Sequence, residues 1–587
     1  MRNADNILAV ISERGKKGLH LERVYRLLFN RDLYIRAYGR IYQNDGSMTR
    51  GVTEETVDGM SLAKIDAIID LIRHERYRWT PVRRVMIPKA NGKQRPLGIP
   101  TWSDKLLQEV IRSILEAYYE PRFSPRSHGF RPGRGCHTAL AEVQSVWTGT
   151  KWFIEGDIKG CFDNIHHRVL LEILRENIHD GRFLALIEGL LKAGYLENWR
   201  YNRTLSGTPQ GGIVSPLLAN IYLDRLDRFV EGTLTPEFTK GKCKGSNNEY
   251  CKVYKRMRKL AAAGKDVEAA EQRKVLKTIP PVDHHDPKYR RLRYVRYADD
   301  FLLGFTGTKE EAETIKAKIT TFLRDELKLE ASQEKTLISH AVDEPARFLG
   351  YEIKTKFSAE KPQTNGYISL RIPKDKLKGY CDRYKKLGKP THRVYLIDNS
   401  DYSIVAQYGL EYRGIAQYYL MADNVWWLDR LHWSMRVSLL KTLARKHKSS
   451  VLKMANTYRS RLEPTRVVEV ITHRENKPAL IARFGEVPLK RKPLATLDDT
   501  DPKTRIINSN RTEIEQRLLA DTCECCGSKE NVEVHHVRRI SDLNVRAGQP
   551  APNWKLKMVS MRRKTLAACR ECHDRIHAGQ ETRGPRS

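Results

Sequence analysis

Hydrophobic positions along this chain recur with two different periods, and the changes between them divide it. In "HLERVYRLLFNRDLYIRAYGRIY" the residues Leu21, Val24, Leu27, Leu28 and Ile35 fall at helical spacing, which predicts an amphipathic helix. From about residue 80, proline and glycine punctuate short apolar runs, as in "IPKANGKQRPLGIP" and "SHGFRPGRGCHTAL", the mark of loops between short elements. Two runs then read as strands. "KWFIEGD" is apolar up to Asp157 and precedes a helix carrying Leu170, Leu171 and Leu174. "RYVRYADDFLLGF" sets Asp299 and Asp300 between the β-formers Tyr294, Val295 and Tyr297 and the run Phe301 to Phe305, so it predicts a hairpin with acid at its tip. "SGTPQGGIVSPLLANIYLDRLDRFV" is a turn opening into a helix. The helical period returns after 370, most clearly over 408–448, where aromatic and basic residues mix. The stretch from about 485 to 520 is polar and aperiodic, and reads as a linker or irregular contact segment.

Composition adds a partner. A chain of 587 residues is too long for one core and predicts three or more domains. Its 105 basic against 71 acidic residues leave a formal charge of +34, which points to a large polyanion. Residues 238–296 concentrate that excess, with 17 Lys or Arg against 6 Asp or Glu, as a solvated loop or a phosphate-tracking insertion would. No apolar run approaches the length of a membrane span, and the opening "MRNADNILAVISERGKKG" resembles neither signal nor transit peptide. A cytoplasmic location is expected, bacterial rather than organellar.

The chemistry starts with three acids. Asp157 ends one apolar strand, and Asp299 and Asp300 interrupt another. Clustered carboxylates repel one another unless cations neutralise them, and hard divalent ions with oxygen ligands do this. Two Mg2+ ions about 3.5–4 Å apart would suit such a set and would serve nucleotidyl transfer.

The blocks "PVRRVMIPKANGKQRPLGIP", "EGDIKGCFDNI", "GTPQGGIVSPLLANIYL", "RYVRYADDFLLG", "LKLEASQEKTLISH" and "RFLGYEIK" stand in the order and spacing of the reverse transcriptases encoded by group II introns, and the chain resembles that family from about residue 20 to its end. The resemblance implies that Asp157 and Asp299 ligate both Mg2+ ions, with Asp300 as the supporting acid. It implies that Phe162 lies under the sugar and rejects a 2′-hydroxyl, that Lys93 and Arg95 grip the triphosphate, that Gln210 supports incoming nucleotide and template, and that Lys335 donates a proton to the leaving pyrophosphate. A helical thumb, or maturase, domain would bind intron RNA by backbone and shape, with Tyr418, Trp426, Trp427, Arg430 and Lys441 as candidates for the binding face.

The C-terminal region holds five of the ten cysteines. Cys523-x2-Cys526 and Cys569-x2-Cys572 form two knuckles, the spacing of a structural four-cysteine Zn2+ site, with Cys525 out of register. His535, His536, His573 and His577 cluster beside them. This arrangement resembles an HNH endonuclease, which implies His536 as general base and His535, His573 and His577 as ligands of one catalytic divalent ion. Lys564 stands where that family has an asparagine to orient the base.

The expected fold is therefore multidomain α+β: a right-hand polymerase with fingers and an antiparallel-sheet palm, an α-helical thumb, and a small zinc-bound ββα HNH domain. The expected boundaries are an N-terminal helical extension over 1–60, fingers and palm over 61–370 with the basic insertion at about 238–292, thumb over 371–485, a linker or DNA-binding segment over 486–520, and HNH over 521–587. The expected activities are RNA-directed DNA synthesis, splicing assistance and nicking of target DNA, with intron RNA, target DNA, a template-primer duplex and deoxynucleotides as partners and no membrane. Two other readings are a splicing maturase without polymerase activity, and a reverse transcriptase adopted for defence or sequence diversification. Intact Asp157, Asp299, Asp300 and Phe162 weigh against the first, and the nuclease tail against the second.

Overall fold

In the computed structural model the described residues are 3–44, 46–88, 92, 94–197, 200–202, 207, 211–279, 281–283, 286–332, 336–358, 364–460, 466–474, 477–493, 511–543 and 551–584. A hairpin of β1 (Val82–Pro88) and β2 (Gln94–Ile99) leads into a four-stranded antiparallel sheet. Its strands are β3 (Trp152–Asp157), β4 (Arg291–Tyr297), β5 (Asp300–Thr306) and β6 (Ile338–His340), ordered β6-β3-β5-β4. The sheet is covered on both faces, which is why its strands read as apolar runs. Ile154, Tyr294, Phe301, Leu303 and Phe305 enter one core with the helices Trp102–Tyr119 and Ser215–Phe229. Phe153, Val295 and Leu302, out of phase with those by one residue, enter a second core shared with residues 346–484. Gly156 lies opposite Phe301, whose ring takes the volume that a Cβ at 156 would occupy.

The N-terminal periodicity does not form one helix. A two-residue strand (Leu21–Glu22), a 3-10 turn (Val24–Phe29) and a helix (Arg31–Ile41) share it, separated at Asn30, whose side chain caps the helix by accepting from the Asp32 N–H. Residues three apart share a face in either helix type, so spacing alone does not separate them. The basic insertion folds into two helices, Asn248–Ala262 and Asp266–Leu276. The first buries no residue, yet Tyr250, Val253, Tyr254, Met257 and Leu260 fall at helical spacing, a period masked by the surrounding lysines and arginines; the second buries only Ala269 and shows no such stripe.

Beyond a three-stranded sheet (Ala346–Phe348, Tyr351–Thr355, Ile368–Arg371) come the helices Lys374–Asp382, Asp401–Tyr418, Asp429–Lys446 and Val451–Thr457, a mainly helical unit. It also contains an unexpected hairpin, β7 (Val468–Arg474) with β8 (Lys477–Phe484). β8 comes so close to the Asp401–Tyr418 helix that a Cβ at Gly409 would lie 2.3 Å from the Arg483 carbonyl oxygen.

The span expected as a linker is structured at both described ends. Arg491 pairs with Asp423 at 2.9 Å, and Glu513–Ala520 is a helix opened by a Thr512/Glu515 capping box. Of its apolar residues only Ile514 and Leu518 are buried, and one i, i+4 pair is too little to display a period. Ile514 and Leu518 of that helix, with Val534, are buried in the N-terminal core. The helix leads into β9 (Val532–His536) and β10 (Thr565–Cys569), an antiparallel pair with the helices Asn553–Ser560 and Arg570–His577. This module is seated on the N-terminal region: Met60 pairs with Val534, and a Cβ at Gly39 would collide with the Glu515 carboxylate. Among the described residues no helix is long and apolar enough to cross a membrane.

Candidate functional site

Asp157 ends β3, Asp300 opens β5, and the two are direct cross-strand partners. Opposed residues of an antiparallel pair project to the same face with Cβ atoms about 4.5–5.5 Å apart. Asp299 stands beside them in the turn Ala298–Asp299, which the pair Tyr297 and Asp300 closes. Ala298 has φ 55°, the left-handed conformation of a tight hairpin turn, which costs a non-glycine residue about 1–2 kcal/mol. Gly129 runs under this turn, where a Cβ would lie 2.3 Å from the Ala298 nitrogen. Buried Cys161 registers the local field: burial first, then the charges of Asp299, Asp163 and Asp157, push its thiol up to about 12. Acids from two strands thus act at one point, a potential that divalent cations would neutralise.

Arg296 secures the turn from inside. Its guanidinium and the Asp227 carboxylate are both fully buried, joined by two hydrogen bonds of 2.7 and 2.6 Å. The same guanidinium donates to the Ala298 carbonyl at 2.8 Å, to the Asn220 Oδ1 at 3.2 Å and to the Ser127 Oγ at 2.9 Å. The Tyr294 hydroxyl donates to Asp227 at 2.8 Å. The strand sequence "RLRYVRY" also carries Arg291 and Arg293, so nothing local sets Arg296 apart as the buried one.

Phe162 lies on the short helix Cys161–Asn164, half-buried and edge-on to Phe130 with ring centroids 6.1 Å apart. The "GTPQGG" motif is packed against its surroundings at Gly207 and Gly211. A Cβ at Gly207 would sit 2.7 Å from the Phe162 carbonyl, and one at Gly211 2.4 Å from the Gly98 carbonyl on β2, and both residues have positive φ. The loop therefore connects the Phe162 helix to the β1–β2 hairpin, where Arg95 is exposed opposite Ile87. Lys93, Gln210 and Lys335 lie outside the described residues. Near Lys335, the Ser332 N–H donates to the Asp157 carbonyl at 2.8 Å.

The C-terminal module holds two convergent ligand sets. Cys523, Cys526, Cys569 and Cys572 bring their sulfurs together, all buried, and Cys525 is not among them. The Cys526 and Cys569 sulfurs are 3.7 Å apart, the edge of a tetrahedron about 3.8 Å long that Zn–S bonds of about 2.3 Å would span. The second set is His535, His573 and His577, joined by Asp58. The His573 Nε2 lies 3.1 Å from both the His535 Nδ1 and the His577 Nε2. The far nitrogen of His573 meets the Glu533 carboxylate at 2.9 Å, the contact that usually orients a metal-binding imidazole. Both donor sets suit a cation of about 2 Å bond length. No motif surrounds Asp58, and nothing local connects it to histidines 477 to 519 positions away.

His536 points away from that set. Its Nδ1 faces the Val534 carbonyl at 2.9 Å, which only an N–H can do, so its Nε2 accepts from the Tyr38 hydroxyl at 3.0 Å. Burial pushes the imidazole down to about 3, which keeps it neutral as a base must be. Both ring nitrogens are nevertheless engaged.

In the helical unit, exposed Trp426 and Trp433 line a groove with Lys374, Lys378, Lys385 and Arg430. Trp427, half-buried under Arg371, lines the same groove, whereas the Tyr418 hydroxyl donates to the Leu349 carbonyl and Lys441 to the Pro390 carbonyl, so those two serve the fold.

Comparison with known proteins gives three family matches: reverse transcriptase (RNA-dependent DNA polymerase) over residues 87–353, type II intron maturase over 361–509, and AI2M/AI1M-like HNH endonuclease over 523–573. The chain is 39% identical to group II intron-encoded protein LtrA of Lactococcus lactis subsp. cremoris, covering 97% of this chain and 98% of LtrA. It is 31% identical to the putative COX1/OXI3 intron 1 protein of Saccharomyces cerevisiae, covering 94% and 68% of the two chains. It is 33% identical to protein YkfC of Escherichia coli over 63% of this chain and 95% of that one.

Proposed function

Given that the chain belongs to the group II intron-encoded proteins, with reverse transcriptase, maturase and HNH endonuclease domains, we propose that its residues divide three linked activities as follows. Asp157 and Asp299, supported by Asp300, hold two Mg2+ ions in a palm formed by β3 to β6, with the β1–β2 hairpin as fingers and the 371–485 unit as thumb. Bound magnesium would make the 3′-hydroxyl easier to deprotonate for attack and would offset the negative charge of the leaving pyrophosphate. The chain's own part is positional. Phe162, fixed by Gly207 behind it, restricts the sugar to a deoxyribose. Arg95 and Lys93 reach the triphosphate, Gln210 supports the nucleotide and template, and Lys335 protonates pyrophosphate. The observation that carries this reading is the register of Asp157 with Asp300 at the edge of the Ala298–Asp299 turn.

In the HNH domain, His535, His573 and His577 hold one divalent ion and His536 is the base, while the four cysteines hold Zn2+. Nicking of target DNA leaves the 3′-hydroxyl that the polymerase extends along intron RNA. The groove of Trp426 and Trp433 binds that RNA, aromatic rings stacking bases while the lysines and Arg430 neutralise phosphates. A bacterial cytoplasm is the proposed setting, since one relative covered over nearly its whole length comes from a bacterium.

Primer extension on an RNA template tests the polymerase reading: Mg2+-dependent incorporation of deoxynucleotides is expected, lost with EDTA. Retained intron splicing with no DNA synthesis in any divalent ion would support the maturase-only reading instead. Trp433→Ala is expected to weaken intron RNA binding by about 1–3 kcal/mol, read by filter binding, without changing primer extension on a short unstructured template. Cys526→Ser is expected to release one equivalent of zinc, measured by elemental analysis, and to make residues 523–577 susceptible to protease, because the small core of Trp554, Met558, Leu566 and Ile576 is built around those thiols.

A further inference from the structure

The histidine set of the HNH domain includes a carboxylate from the opposite end of the chain. Asp58 lies in the segment "VDGM", which runs alongside β9: the Gly59 N–H donates to the Val534 carbonyl, and the Val534 N–H donates to the Met60 carbonyl. These two backbone bonds leave Asp58 facing the imidazoles. Its Oδ1 is 3.3 Å from the His535 Nδ1 and 3.3 Å from the His573 Nε2, its Oδ2 is 2.8 Å from the His577 Nε2, and its Oδ1 also accepts from the His536 N–H at 2.7 Å. Gly59 has φ 69°, in the left-handed region that favours glycine, and a Cβ there would come within 3.3 Å of the Glu533 carboxylate, so the backbone beside Asp58 takes a shape that a glycine adopts without strain.

The separations match ligands to one ion. Bonds of about 2.0–2.1 Å to nitrogen and oxygen place the corners of a tetrahedron about 3.3 Å apart; here His573 lies 3.1 Å from each of the other two imidazoles, the Asp58 oxygens lie 2.8–3.3 Å from the three rings, and one ligand atom from each of the four residues lies within 4.8 Å of all the others. A site with three protein ligands keeps a position open for water or substrate, whereas four protein ligands close it. Resting on the reading of His535, His573 and His577 as the nuclease ion's ligands, we propose that Asp58 supplies a fourth ligand to the same divalent cation, filling in cis the position that a DNA phosphate oxygen needs. A carboxylate and a phosphate are interchangeable hard anionic donors, so DNA competes with Asp58 for the ion. The same docking covers the base, since His536 is 5% exposed and its Nε2 is taken by Tyr38. The nuclease is thus latched shut while it sits on the N-terminal region, and the ion is part of the latch. His577 is exposed at one side, which gives the ion a way in.

The test uses full-length protein with the four-cysteine site filled with Zn2+, titrated with Co2+ and followed by its visible absorption. Wild type is expected to bind one further Co2+ with the strong bands of four-coordination, unchanged by millimolar inorganic phosphate. Asp58→Ala is expected to bind Co2+ at least tenfold more weakly, with weaker bands that shift on adding phosphate, and to nick non-target duplex DNA at least tenfold faster. Asp58→Asn, which keeps a hydrogen-bond acceptor for the imidazoles, separates a ligand from an ion-pair partner: loss of Co2+ affinity supports ligation. Affinity and phosphate response equal to wild type in both variants would overturn the proposal for Asp58 alone. Wild type that binds no Co2+ beyond the cysteines, or a His573→Ala variant that binds it normally, would overturn the underlying ligand assignment. The wild-type phosphate response needs no variant, so it decides the matter even if the substitutions disturb folding.

Discussion

Asp299→Asn is expected to reduce RNA-templated primer extension by about 10³-fold or more while the protein melts within about 1 kcal/mol of wild type. An amide is similar in size to the carboxylate but carries no charge, so it neither holds a cation well nor completes the potential that Asp157 and Asp300 share. Preorganised charge at a reacting phosphoryl group is commonly worth factors of this order. Stability should hardly change, because Asp299 sits in the turn and not in either core, and removing one of three neighbouring anions relieves repulsion. Denaturant melts run alongside single-turnover extension check both halves. An Asn variant that extends primers within tenfold of wild type would remove Asp299 from the metal site.

The second large effect is structural and lies one layer below. Arg296→Met should destabilise the polymerase unit by about 3–5 kcal/mol, since it strands the Asp227 carboxylate in a fully buried position. It also removes the donor to the Ala298 carbonyl, and with it the restraint on a turn whose alanine holds a left-handed conformation. Activity should therefore fall further than the loss of folded protein explains, even at a temperature where the variant is fully folded. Pairing it with Asp227→Leu removes the stranded charge and should recover part of the stability but not the activity. Melting curves and extension rates on the three variants distinguish the two effects. Recovery of both together would mean that the guanidinium serves only its partner.

The parts of the molecule visible in the sequence were those whose chemistry is local. The acids at 157, 299 and 300 are flanked by strand-forming residues, so each strand and its acid could be read together, and the structure adds that β3 and β5 are adjacent. The cysteine knuckles were readable because their spacing is itself the ligand geometry. Arg296 and Asp58 could not be found this way. Their meaning comes from partners 69 and 515 positions distant, Asp227 and His573, and no window of sequence contains both members. The helix Glu513–Ala520 and the β7–β8 hairpin were missed for a related reason, since each is fixed by packing on distant surfaces and not by its own periodicity.

That last helix bears on how the protein is made. Ile514 and Leu518 complete a core whose other members, apart from Val534, all precede residue 330. While a ribosome is still adding residues 330–510, the nascent polypeptide carries an unsealed apolar seam where the tail will later dock. Expression fragments ending before residue 511 should accordingly aggregate or recruit chaperones, and supplying 511–587 as a separate peptide should rescue their solubility.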